Sequence, residues 1–204
     1  MEYLTYISLV MMTALTPGQG ILLTVITSIN LGFKKNLNTI MGILTALSIL
    51  SITTIFFLKP ILSVIPNLYF YLQLVGGTYL IYLGYKMFNS HMHVDFSEKV
   101  EPKSNFTIYK EAFFISILNP KQIFFISSVV PIFLKGTTDY YGDISILLVI
   151  FVGITISKHF LYSFFAVEIT KRITNVDLFL SRVNKVSGTL FSLIGIVLIV
   201  KLFI

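Results

Sequence analysis

The sequence predicts an all-α, polytopic membrane protein with six transmembrane helices arranged as two inverted three-helix repeats. Three observations carry that expectation: a composition too apolar for a soluble surface, six apolar stretches of about spanning length, and ordered matches between the two halves of the chain. Of 204 residues, 55% are hydrophobic and only 12% charged, with a mean hydropathy of +0.88. Soluble domains carry about 25% charged residues, so this chain lacks the polar side chains to cover a surface facing water, and lipid is the solvent it fits. The chain has no cysteine, which excludes a disulfide framework, an iron-sulfur cluster and any thiol relay. The formal charge of +6 is scattered between apolar runs. It marks topology and gives no support for a nucleic-acid partner, which needs a concentrated basic patch.

The first apolar stretch covers residues 3–29. Glu2 and the absence of any basic residue before Lys34 deny it the positive leader of a cleaved signal, so it is expected to be retained as a helix. The others cover residues 37–58, 67–88, 108–134, 143–167 and 185–203, each long enough at 1.5 Å per residue to cross all or most of a bilayer core. Repeat one is thus 1–88 and repeat two 108–204, within a single transmembrane domain. They are joined by a polar linker, 89–107, expected to be flexible and cytoplasmic. Its His91-Met92-His93-Val94-Asp95 run reads as a solvated loop, because no fourth ligand stands at metal-site spacing. Ten of the fifteen Lys and Arg fall in the connections after the first, third and fifth stretches; only Lys59, Lys135 and Lys201 fall on the opposite side, and Lys121 and Lys158 lie within spans. Basic connections stay cytoplasmic, so both termini are expected on the non-cytoplasmic side.

The two halves match in three places, in order. Leu15-Thr16-Pro17-Gly18-Gln19 aligns with Leu118-Asn119-Pro120-Lys121-Gln122. Gly42-Ile43 aligns with Gly153-Ile154, and Val75-Gly76-Gly77-Thr78 with Gly84 aligns with Val186-Ser187-Gly188-Thr189 with Gly195. The register shifts once, by roughly eight residues, as a longer connection between the fourth and fifth stretches would require. With three spans in each half, the second half must enter the membrane in the opposite sense to the first. Gly77, Gly84, Gly188 and Gly195 recur every seven residues within their stretches, which places each pair on one helix face and predicts close helix packing.

Pro17 and Pro120 each fall near the middle of a span, where proline removes a backbone hydrogen bond and displaces a carbonyl. In lipid the freed groups need partners in the protein or in a watery cavity. Thr16, Gly18 and Gln19 stand beside the first break, Asn119, Lys121 and Gln122 beside the second. The simpler reading is a pair of relieved kinks. Two related breaks decorated with amides point instead to a small-molecule binding site, because unwound helix ends offer N–H groups to a carboxylate and carbonyls to an ammonium. Lys121 is open to two roles: binding a substrate carboxylate, or pairing with carbonyls freed by a break. A lysine at mid-span costs about 2.5–3.5 kcal/mol and so faces inward in either case. In the fifth stretch Thr155, Lys158 and Tyr162 share a helix face. No Asp or Glu occupies the centre of any span. Any proton coupling therefore falls to Lys158 or His159, or to a carboxylate nearer an end such as Glu111 or Glu168; for His159 a partnered interior histidine is the competing reading.

At these residues the chain resembles the LysE/RhtB family of amino-acid exporters over nearly its whole length. The resemblance rests on Thr16-Pro17-Gly18, on Gly76-Gly77-Thr78-Tyr79-Leu80-Ile81-Tyr82-Leu83-Gly84, on Leu118-Asn119-Pro120-Lys121, and on Asn184-Lys185-Val186-Ser187-Gly188. It implies a secondary transporter of the bacterial cytoplasmic membrane that exports an amino acid or close derivative in exchange for protons, with no cofactor. Family members usually read threonine-proline-glycine-proline followed by Asp or Asn, whereas Gln19 and Gly20 stand at those two positions here.

Two other classes fit less well. A metal-cation exporter of the same fold wants anionic oxygen, and the spans offer lysines instead. An intramembrane hydrolase built on Ser157 and His159 would need side chains that, two residues apart on a helix, point about 200° apart, and neither a nucleophile-elbow motif nor His-Glu-x-x-His is present. No nucleotide-binding loop occurs. Nothing in the sequence decides between a monomer and a homo-oligomer.

Overall fold

The computed structural model describes residues 3–15, 18–65, 67–89, 103–172 and 176–203, with backbone alone at 15, 167–172, 176, 177, 179 and 180. Those residues form helices and short connections, with no strand among them. In chain order the helices are α1 (Tyr3–Leu15), α2 (Gln19–Val64), α3 (Leu68–Phe88), α4 (Asn105–Ile117), α5 (Pro120–Phe124), a π-helical segment (Phe125–Val129), α6 (Val130–Leu134), α7 (Tyr140–Arg172) and α8 (Val176–Val200).

Three helical segments are long and apolar enough to cross a membrane: Gln19–Val64, Tyr140–Ala166 and Ser181–Val200. The pair Asn105–Ile117 and Pro120–Leu134, bent by 45°, makes a fourth if counted as one broken span, and Tyr3–Ala14 is a shorter apolar helix. Of the six expected spans, α3 does not reach that hydropathy because Gln73, three glycines and five tyrosines dilute its aliphatic residues. The outward faces are apolar: Leu4, Phe56, Phe57, Val149, Phe164 and Val186 are all exposed, the inverse of a soluble bundle.

Two expectations about boundaries change. The connection expected between the first two stretches is no loop: Lys34 and Lys35 lie in α2, which is kinked at Gly32, the residue inside it with non-helical dihedrals, at φ 82° and ψ 165°. Only glycine holds that conformation without strain. The linker also ends earlier than expected, since residues 105–107 form the first turn of α4. Ser104 caps it, its Oγ accepting from the Thr107 N–H at 3.1 Å. Residues 90–102, with His91, His93 and Asp95, lie outside the described residues.

α3 packs on α8, α2 on α4 and α7, and α1 on α7. Glycine sets the closest of these approaches. A Cβ on Gly77 would stand 3.0 Å from the Gly195 carbonyl, and one on Gly195 would stand 2.5 Å from the Gly77 carbonyl. Gly84 and Gly188 meet in the same reciprocal way, each 2.5 Å from the other's carbonyl. The packing face expected from the seven-residue spacing is therefore the α3–α8 contact, where bare backbone lets the helices touch. Gly76 seats against Ser128 of the π-helical segment, and Tyr79 stacks on Phe124 with ring centroids 4.0 Å apart. Tyr6, Val10, Phe125, Val129, Leu147 and Phe151 fill the centre of the core.

Candidate functional site

Where the breaks meet, a polar pocket of about 40 Å³ opens in the core. That is room for roughly three water molecules. Thr13 and Ala14 close α1 beside it, Gly18, Gly20 and Ile21 open α2, Asn119, Lys121 and Gln122 follow the second break, and Phe125, Phe151, Thr155, Lys158 and His159 complete the wall. Residues far apart in sequence are thus brought together from both breaks and from the middle of α7.

Each break is built by its own chemistry. At the second, Pro120 occupies the first turn of α5, where its missing N–H removes no helical hydrogen bond. Asn119 caps that turn, its Oδ1 accepting from the Lys121 N–H at 3.0 Å. Five residues later the helix widens into the π-helical segment, and the Val130 N–H reaches back five residues to the Phe125 carbonyl. Pro131, next in line, has no N–H to give. Such a bulge re-aims the side chains around it, and Phe125 is the one it presents to the pocket.

At the first break, Gly18 is extended at φ −157° and ψ 178° just before α2. Thr16 and Pro17 lie outside the described residues. A proline at 17 nevertheless cannot donate to the carbonyl of residue 13, the partner a continuous helix would give it. Lys121 supplies that bond from the other half of the chain, its Nζ donating to the Thr13 carbonyl at 2.6 Å. The same ammonium lies 5.7 Å from the centre of the Phe191 ring. Of the two roles open to Lys121, its pairing with a freed carbonyl is present here, and the carbonyl belongs to the opposite break.

On α7, His159 Nδ1 lies 2.8 Å from Thr24 Oγ1, which is also 2.8 Å from the Gly20 carbonyl. With the single hydroxyl proton given to Gly20, Thr24 accepts from Nδ1–H, and the lone pair of the neutral ring falls on Nε2, on the side of Gly20 and the pocket. One turn further along the same two helices, Ser28 Oγ meets Ser163 Oγ at 2.9 Å, and Asn36 Nδ2 donates to Ser163 Oγ at 2.8 Å. These hydroxyls and the amide form a buried polar seam leading from the pocket toward Gly32.

Of the residues singled out in the sequence, Gly18, Asn119, Lys121, Gln122, Lys158 and His159 line the pocket. Gln19 and Pro120 are exposed and do not. Thr155 faces the pocket beside Lys158, whereas Tyr162 of the same stripe does not reach it. Lys158 also borders an apolar groove between α1 and α7, where Gly153 has open space beside it. Glu111 is held away in an ion pair with Lys103 at 2.7 Å, and the Glu168 side chain lies outside the described residues. Sequence reading missed Thr13, Thr24 and Phe125. The i, i+4, i+8 series Gly20, Thr24, Ser28 on one apolar helix was the available signal for Thr24. Among the described residues no group of three or more His, Asp or Glu gathers to hold a metal ion.

Membrane-length apolar helices around a polar pocket at two helix breaks define a membrane transport protein. The chain belongs to the LysE type translocator family, whose family model matches residues 11–202. It is similar to a homoserine/homoserine lactone efflux protein of Salmonella typhimurium, 28% identical over 185 residues, covering 91% of this chain and 89% of that one. It is also similar to uncharacterized membrane proteins of Vibrio cholerae, 21% identical over 96% of this chain and 95% of the relative, and of Bacillus subtilis, 24% identical over 95% and 96%. No solved structure matches.

Proposed function

We propose that this translocator is a secondary carrier that exports an amino acid or a close derivative from the cytoplasm in exchange for protons. It does so from the bacterial inner membrane, with both termini on the non-cytoplasmic side. The observation that carries this reading is the pocket itself, in which Lys121, Gln122 and Asn119 from one break, Gly18 and Gly20 from the other, and Lys158 and His159 from α7 share one cavity. The homoserine/homoserine lactone efflux activity named for the Salmonella relative supports an amino-acid-sized cargo.

The six spans of this reading are α1 with residues 19–31, residues 33–64, α3, α4 with α5 and α6, α7, and α8, in two inverted repeats joined by the linker that ends at Ser104. The reciprocal glycine contacts support it. Exchanging the halves turns Gly77 into Gly188 and Gly195 into Gly84, so each α3–α8 contact becomes the other. A two-fold axis passing between the two helices would require such an exchange.

A pocket of about 40 Å³ is much too small for an amino acid, so loading requires the two breaks to part. The bond from Lys121 to Thr13 ties them together, and a substrate carboxylate competes for the same ammonium. Protonation of His159 or Lys158 in the emptied pocket supplies the return charge.

The test is uptake of a mixed amino-acid pool into inside-out vesicles with an imposed proton gradient, read by mass spectrometry. Accumulation of one or a few amino acids, abolished by collapsing the gradient, is expected. No accumulation in vesicles that contain the protein would refute the proposal.

A further inference from the structure

We propose that this translocator forms a parallel homodimer in the membrane, in which the outer face of α3 meets the same face of a second copy. The inference rests on α3 being a membrane span, as in the reading above, and is independent of what is carried.

Along α3, Tyr71, Val75, Thr78, Tyr82 and Tyr85 are all exposed. Their spacing of four, three, four and three residues sets them in one stripe, the pattern by which coiled helices meet. The stripe lies away from the face that carries Gly77 and Gly84, which is taken up by α8. Its three tyrosines are between 52% and 69% exposed, and their hydroxyls have no hydrogen-bond partner among the described residues. A phenol facing hydrocarbon forfeits the bonds it made in water. Tyr71 and Tyr85 stand about one turn from the ends of α3, where phenols reach the membrane surface. Tyr82 does not. It lies six residues inside Phe88, roughly 9 Å at the helical rise, and its ring is 6.3 Å from that of Tyr79, one turn closer to the middle of the helix.

The second repeat shows what lipid asks of the matching face. The register that aligns Gly77 and Gly84 with Gly188 and Gly195 sets the stripe against Arg182, Val186, Thr189, Leu193 and Ile196 of α8, which are exposed as well. Leu193 and Ile196 stand where α3 has Tyr82 and Tyr85. Inside the span the α8 stripe is aliphatic around a single threonine, a surface made for lipid. The α3 stripe replaces those aliphatic side chains with hydroxyl-bearing rings, part of the reason that α3 falls below the hydropathy of a span. Such a face fits protein better than hydrocarbon.

A second copy is the partner it fits. All copies insert in the same sense, so a two-fold axis along the bilayer normal sets two α3 helices side by side and parallel, each position against its counterpart. A phenol hydroxyl both donates and accepts, so the Tyr82 and Tyr85 hydroxyls of one copy find partners in those of the other. No charge within the stripe repels its own image: Lys86, the one charged residue of α3, lies in the last turn. The area also suffices. Half-exposed aromatic side chains offer roughly 100 Å² each, and the stripe roughly 500 Å² per copy. Two copies together bury about 1,000 Å², the size at which an interface becomes specific.

The chain has no cysteine, so Thr78→Cys and Thr189→Cys each carry one thiol, both exposed at mid-helix and matched by the repeat. The experiment is mild oxidation of membranes that contain either variant at low density. Thr78→Cys is expected to cross-link into a dimer at least about ten-fold more than Thr189→Cys, because parallel helices about 8–10 Å apart bring facing positions within disulfide reach. Light scattering of the purified wild-type chain is expected to give twice the 23.1 kDa of one copy. Tyr82→Leu with Tyr85→Ile, which gives α3 the residues of α8, is expected to insert normally and to weaken the dimer about ten-fold, the scale of one lost buried hydrogen bond. Equal cross-linking of the two cysteine variants, a single-chain mass with no Thr78→Cys cross-link, or cross-links only to a different protein would overturn the inference and leave the transport reading in place. An impermeant maleimide that reached Asn67→Cys and Asn89→Cys from the same side would instead show that α3 does not span, and the six-span reading would fall with the dimer.

Discussion

At the residue scale the decisive contact is the one between Lys121 and the Thr13 carbonyl. Lys121→Met leaves that carbonyl with neither a helical N–H from position 17 nor an ammonium. The expected cost is about 1–3 kcal/mol, seen as a lower unfolding temperature in detergent together with a loss of transport; unchanged thermal stability would show that the bond does not hold the breaks. Thr24→Val removes the partner of His159 Nδ1 and is expected to cost about 1–2 kcal/mol. If His159 carries protons, the same change shifts the pH dependence of transport, whereas a purely structural histidine would alter stability alone. The sequence placed Lys121 inside the protein but left its role open, because its partner lies 108 residues away and no local pattern encodes that pairing. Asn119 was read as an amide beside a break; its Oδ1 in fact caps α5, a use visible in the Asn-Pro pair once Pro120 is placed at the start of a helix.

At the element scale the close contact between α3 and α8 was legible, because glycines seven residues apart mark one face in any helix. Gly84→Val is expected to prevent stable folding, since even a Cβ would stand 2.3 Å from Ser192 Oγ and 2.5 Å from the Gly188 carbonyl. Normal yield and a wild-type melting profile for that variant would contradict the packing. Helix ends were less legible. The sequence placed a connection at residues 30–36, among Asn30, Lys34, Lys35 and Asn36, but nothing local marked Gly32 by itself as the break between two helices. Gly32→Ala is expected to cost about 1–2 kcal/mol although nothing lies within 4 Å of its Cβ position, because the cost comes from φ and not from a clash. The π-helical segment after the second break was also not visible in the sequence, since Phe125-Ile126-Ser127-Ser128-Val129 carries no local mark that separates a π turn from an α turn.

At the scale of the whole molecule the two proposed repeats are related but not identically packed. Gly42 is pressed against α4, where a Cβ would stand 2.4 Å from the Tyr109 carbonyl, while its counterpart Gly153 has nothing within 4 Å and borders the groove between α1 and α7. A carrier that alternates between two states exchanges the conformations of its repeats, so Gly153 is expected to take the tight contact in the other state. Gly153→Val should therefore fold normally and still lose most of its transport; full transport would argue against the exchange. Because the chain has no cysteine, Lys35→Cys and Lys59→Cys can be labelled singly, and labelling of Lys35→Cys from the cytoplasmic side and Lys59→Cys from the opposite side is the expected topology. The most direct test of the site is export by Lys121→Met and Pro17→Ala in vesicles with matched amounts of inserted protein. Both are expected to insert at wild-type levels and to lose at least about ten-fold in rate, the scale of one lost charged hydrogen bond. Wild-type export by both would contradict a substrate site between the two breaks.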